Sequence, residues 1–93
     1  MNIPNKLKIN GIEVIVKVED RNKNGVSNCG SSQCYTQTIW INSDGKKEYQ
    51  EAVLLHEIIE LLNEECDMDL THQTISTLAT SLYAVLKDNK LIK

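Results

Sequence analysis

The chain has 93 residues, 41% of them hydrophobic but none of them phenylalanine, and a formal net charge of −3. That length makes one small domain over residues 1–93, so any functional groups must sit on its surface or between its elements. The acidic balance, with no basic run, excludes nucleic acid as the default partner, and no apolar stretch approaches the ~20 residues that span a bilayer, so no membrane partner is expected.

The start, Met1-Asn2-Ile3-Pro4-Asn5-Lys6, lacks the apolar region of a signal peptide. Three cysteines make an odd number, and with no secretion signal they read as reduced thiols in a cytoplasm.

In chain order, a loose end over residues 1–5 leads into Leu7-Lys8-Ile9-Asn10-Gly11-Ile12-Glu13-Val14-Ile15-Val16-Lys17-Val18. Ile12, Val14, Val16 and Val18 alternate with Glu13, Ile15 and Lys17, the pattern of a strand with one buried face. Asn10-Gly11 is strong hairpin-turn chemistry, so Leu7 and Ile9 should form a short strand folded back on residues 12–15. Residues 19–33 are polar and read as a loop or a wide irregular hairpin that carries little core. Cys34 to Asn42 reads as another strand, with Tyr35, Gln37, Ile39 and Ile41 on one face and Thr36, Thr38 and Trp40 on the other. Ser43-Asp44-Gly45 closes it as a turn.

From about Lys47 to Cys66 the period becomes helical. Ala52, Leu55, Ile59, Leu62 and Cys66 form one stripe, and Tyr49, Val53, His56 and Glu60 a neighbouring one; Leu54, Ile58 and Leu61 add apolar residues on the far side. A helix apolar around most of its girth should be covered on two sides, and its position in the outer stripe predicts burial for Cys66. Glu48, Glu51, Glu64 and Glu65 read as a solvated face. After Asp67-Met68-Asp69-Leu70, Thr71 is a fair N-cap for a second helix running to about Asp88. Its Ile75, Leu78, Ala79, Leu82 and Leu86 keep the spacing of a core face. The sum is an α+β fold: a small antiparallel β-sheet of about three strands followed by two packed antiparallel helices.

Chemistry concentrates in Leu54-Leu55-His56-Glu57-Ile58-Ile59-Glu60-Leu61-Leu62. His56 and Glu60 leave the same helix face one turn apart, so an imidazole and a carboxylate can share one metal ion. Glu57 points about a quarter turn away, where it can reach a water on that ion. This is the arrangement of the His-Glu-x-x-His zinc helix, with its Glu as general base, except that Glu60 stands at the second ligand position. A catalytic zinc takes three protein ligands and an open position. The only other histidine is His72, at the first turn of the second helix and three residues before core-facing Ile75. A short link brings that helix back antiparallel, which is compatible with His72 closing the site. Cys29 and Cys34, by contrast, have too few neighbouring ligands for a zinc site of their own, though their spacing also permits a disulfide formed in air.

Leu54 to Asn89 resembles the small metallopeptidase-like proteins of bacteriophages and prophages, the minimal zincins. These carry a Leu-Leu-His-Glu-Ile-Ile-(His or Glu) helix, then Leu-x-His, then a helix ending in Leu-Tyr-x-Val-Leu-x-Asp-Asn. The corresponding runs here are Leu54 to Glu60, Leu70-Thr71-His72 and Leu82-Tyr83-Ala84-Val85-Leu86-Lys87-Asp88-Asn89. The match covers a little over a third of the chain, and the N-terminal half matches only in placing strands before the helix.

The resemblance implies a Zn2+ site of His56, Glu60 and His72, with Glu57 as base and a peptide or protein as substrate. The strand over Tyr35–Ile41 would lie along the cleft and, with a free edge, pair with an extended substrate. Gln37 and Thr38 would then be lining residues, and Tyr49 and Tyr83 would be packing residues or donors to an oxyanion. A second class of function keeps the fold, with or without the metal, in a non-catalytic metal-binding or protein-binding module. Replacing Glu57 by Gln separates the two, since only a hydrolase depends on its carboxylate.

Overall fold

The computed structural model describes residues 2–20 and 30–92, in the order β1 (Lys6–Ile9), β2 (Ile12–Glu19), β3 (Gly30–Gln33), β4 (Thr38–Asn42), α1 (Lys47–Glu65) and α2 (His72–Asp88). Most of the polar stretch expected as a loop, with Cys29, lies outside the described residues.

Asn10 and Gly11 both take positive φ, 53° and 80°, the backbone of a tight turn whose twist suits the flanking strands. The turn sets Ile9 opposite Ile12 and Leu7 opposite Val14, as the Asn-Gly signal predicts.

The protein is α+β, and its sheet has four strands in the order β1-β2-β4-β3. The sheet is mixed rather than wholly antiparallel: its central pair, β2 and β4, runs parallel, with Val16 beside Ile39 and Val18 beside Ile41. The fourth strand is β3, which lies within the stretch expected to be loop and pairs antiparallel to β4, Ser32 opposite Ile39. β4 itself starts later than expected. Cys34 to Gln37 form a turn, in which Gln37 has φ 52° and its N–H reaches the Cys34 carbonyl. Tyr35 is consequently in solvent rather than on the face of Ile39 and Ile41.

Alternation puts Val14, Val16, Ile39 and Ile41 on one face of the sheet, where Val53, Leu54 and Leu61 of α1 cover them. Each such aliphatic side chain, fully buried, contributes roughly 1.5–3 kcal/mol. The other side of α1 meets α2 through Ile59, Ile75 and Ala79, with Leu55 and Leu70 packed against them. So α1 is the middle layer, covered on two sides as its girth of apolar residues requires.

α1 ends where Asp67 turns into the left-handed region and the Met68 N–H reaches back to the Asn63 carbonyl. Thr71 caps α2, its Oγ1 accepting the Thr74 N–H at 3.1 Å. The helices are antiparallel: Glu60 meets His72 at one end of their interface, and Glu51 meets Tyr83 at the other.

Three sequence-based expectations about burial are corrected. Glu51, expected on a solvated face, is 1% exposed. Its turn of α1 faces α2, where the Tyr83 hydroxyl donates to Oε1 at 2.8 Å. Cys66 is exposed, because α1 stops just before it. Leu78 and Leu82 keep core spacing but remain 47% and 40% exposed, since α1 covers only the Ile75 and Ala79 side of α2. No helix among the described residues is long and apolar enough to cross a membrane.

Candidate metal centre

Three side chains from two helices converge at one end of the α1–α2 interface. His56 and Glu60 are a helical turn apart on α1, and His72 opens α2. Glu60 Oε2 lies between the imidazoles, 3.6 Å from His56 Nε2 and 3.5 Å from His72 Nδ1. The rings meet edge to face, with centroids 5.1 Å apart and planes at 65°. Helix rotation, which spacing alone leaves open, thus brings His72 to the other two. Its free nitrogen, Nε2, is 3.4 Å from Ser76 Oγ one turn along α2.

These separations are long for hydrogen bonds. They suit a different partner. Two donors each about 2.0–2.2 Å from a tetrahedral ion stand about 3.3–3.5 Å apart. All three donor atoms lie within 4.8 Å of one another, so the widest pair closes by a small rotamer adjustment. Two imidazoles and one carboxylate form a donor set that catalytic zinc uses. In kind and number the donors could hold a metal ion. Glu64, Asp67 and Asp69 line a second cavity that shares Glu60, and their charge favours a cation over an anion at this end of the molecule.

Glu57 is 6% exposed and lines a cleft of about 470 Å3 together with His56 and His72. The remaining walls carry no charge: Ala52 and Val53 from α1, Ala79 and Thr80 from α2, and Gly30 from β3, with Tyr49 a turn further back on α1. Gly30 is a close approach. A Cβ there would come 2.6 Å from Val53 Cγ1, 2.8 Å from the Trp40 carbonyl and 3.5 Å from Glu57 Oε2. The bare backbone lets β3 lie down beside Glu57. No pattern in Gly30-Ser31-Ser32-Gln33 marks that contact, because its short polar residues carry neither strand propensity nor an apolar face.

Comparison with protein-family models, curated proteins and solved structures returns no match for this chain.

Other expected lining residues lie elsewhere. β4 is flanked by β2 and β3 and has no free edge; among the described residues the sheet edge beside the cleft is β3. Thr38 is buried, and its hydroxyl donates to the Thr36 carbonyl. Gln37 Nε2 donates to Glu65 Oε1 at 3.0 Å and to the Cys34 carbonyl at 2.6 Å, at the far end of α1 from the cleft. The Cys34 thiol also points at Glu65 Oε1, 3.8 Å away. Burial first, then the charges of Glu64 and Glu65, push that thiol above its ordinary range, which keeps it protonated and a poor metal ligand. Tyr83 spends its hydroxyl on Glu51 and is not a cleft donor, whereas Tyr49 does line the cleft.

Proposed function

We propose that this protein is a zinc-dependent hydrolase of the minimal zincin type, acting on peptide bonds. One observation carries the reading: donors on separate helices, His56 and Glu60 on α1 and His72 on α2, lie within 4.8 Å of one another, and both imidazoles share an open cleft with Glu57. Glu57 is 6% exposed where it lines that cleft with both imidazoles, and this supports a role for its carboxylate.

In this reading His56 Nε2, Glu60 Oε2 and His72 Nδ1 hold the ion. Zinc supplies Lewis acidity and makes a water acidic near neutral pH. Glu57 takes the proton of the attacking water on its carboxylate and returns it to the departing amine. The uncharged cleft wall of Ala52, Val53, Ala79 and Thr80 receives an apolar side chain of the substrate. β3, an edge strand among the described residues, offers main-chain groups to an extended peptide beside Glu57.

The test combines metal content with turnover. Wild-type protein prepared without a His tag should carry about one zinc per chain, as a three-donor site requires, and His56→Ala and His72→Ala should bind it much more weakly. Glu57→Gln should keep the zinc and lose roughly 10²–10⁴-fold in cleavage of a fluorogenic peptide library. Zinc binding with turnover indifferent to Glu57→Gln would instead identify a partner-binding module. Absence of zinc after adding it back would remove the metal reading.

A further inference from the structure

His72 is the least supported of the three donors. Its side chain is 76% exposed, and among the described residues its only other polar contact is the 3.4 Å approach to Ser76 on its own helix. Little packing holds the ring, so its place over Glu60 depends on where the backbone at the start of α2 is set. That backbone follows a sharp link in which Asp67 and Asp69 both take left-handed φ, 52° and 57°. Asp tolerates that region, but such a link has no regular ladder of its own to fix its exit.

The exit is held by a side chain from α1. Asn63 lies three residues after Glu60 on that helix. Its Oδ1 accepts the Leu70 N–H at 2.8 Å, and its Nδ2 donates to the Leu70 carbonyl at 3.4 Å. One planar amide thus satisfies both backbone groups of a residue two positions before His72. The Leu70 side chain is meanwhile partly buried against Ile59 and Ile75. We infer that Asn63 is a positioning residue for the ligand His72, clasping Leu70 so that α2 begins with its imidazole over Glu60. The inference rests on the zinc reading above for its purpose, but the clasp acts in the metal-free protein as well.

Other contacts at these two helix ends already finish α1 and start α2 without the clasp. The Met68 N–H already closes α1 on the Asn63 carbonyl, and Thr71 already caps α2. The Asn63 side chain is additional to both, and it joins the two ligand-bearing helices where the ligands meet.

The experiment uses Asn63→Ala, His72→Ala and the double variant. Outer-shell partners of a ligand typically contribute 10- to 100-fold in metal affinity, so Asn63→Ala should bind zinc roughly that much more weakly in competition with a chromophoric chelator. In the His72→Ala background the same change should cost less than about twofold, because the residue it acts through is gone. An equal loss in both backgrounds, or no loss in either, would overturn the inference. In metal-free protein, the cross-relaxation signal between the His56 and His72 rings should weaken in Asn63→Ala, and the Leu70 amide should exchange faster. Unchanged ring contact would overturn the clasp even where zinc binds. If the wild type takes up no zinc, the metal reading fails by itself and the ring contact still decides the role of Asn63. Asn63→Asp, which keeps the acceptor for the Leu70 N–H, should retain the ring contact; its loss there would also count against the clasp.

Discussion

Replacing Tyr83 by Phe removes one hydroxyl from the α1–α2 interface and leaves the ring that fills it. That hydroxyl donates to Glu51 Oε1 at 2.8 Å, and Glu51 is 1% exposed. Lys87 Nζ stands 3.9 Å from the same oxygen, near enough to add charge but too far for a hydrogen bond. A hydrogen bond to a charged group contributes about 1.5–3 kcal/mol net. Glu51 has further interactions that survive the change, which places the expected loss in the lower half of that range, about 1.5–2 kcal/mol. For a domain of this size the melting temperature should fall by roughly 6–16 °C.

The pH dependence supplies an internal control. Burial first, and then the bond to Glu51, push the Tyr83 pKa from 10.0 up to about 12. The folded state holds that proton more tightly than the unfolded one. The resulting stabilisation is complete below pH 10 and is lost as the pH rises through 12. Urea unfolding of wild type and Tyr83→Phe should therefore show a constant gap from neutral pH to about 10 that narrows towards about 12. A neutral-pH loss under about 0.5 kcal/mol, the scatter of surface substitutions, would refute the buried pairing. So would a gap unchanged across the alkaline window.

Gly30→Ala should destabilise by about 1–3 kcal/mol by overpacking, because the new Cβ meets Val53 Cγ1 and the Trp40 carbonyl. Adding Val53→Ala should recover only part of that loss in a denaturant titration, since the carbonyl contact remains. Thr71→Ala removes the cap of α2 and should cost about 1 kcal/mol in the same assay.

Local chemistry made much of this fold legible. Asn10-Gly11 dictates its turn whatever surrounds it, and Thr71 marks the start of α2 because an unsatisfied N–H three residues on needs an acceptor. His56 and Glu60 were legible for the same reason, since helical geometry alone puts them on one face. The misses are long-range. Glu51 looks like any surface carboxylate until Tyr83, 32 residues later, arrives opposite it. β3 has no β-branched or apolar residue to announce it and becomes a strand by pairing with β4. Leu78 and Leu82 repeat with core spacing, but α1 is too narrow to cover their side of α2. Asn63 was invisible as a clasp because its partner is backbone, which every sequence position offers equally.

The placement of the three donors has a consequence for the order in which the molecule assembles. All of them lie on the helical hairpin from Lys47 to Asp88. The parallel pairing of β2 with β4 instead requires the chain between Glu19 and Thr38 to be looped out before any ladder bond rewards it, an entropic cost that slows its formation. That pairing is therefore expected to form late. If the triad binds an ion, that site is complete within the helical hairpin, whereas the cleft also needs its β3 wall. A change that displaces Gly30 from Val53 would thus open the cleft wall while leaving all three candidate donors on their helices.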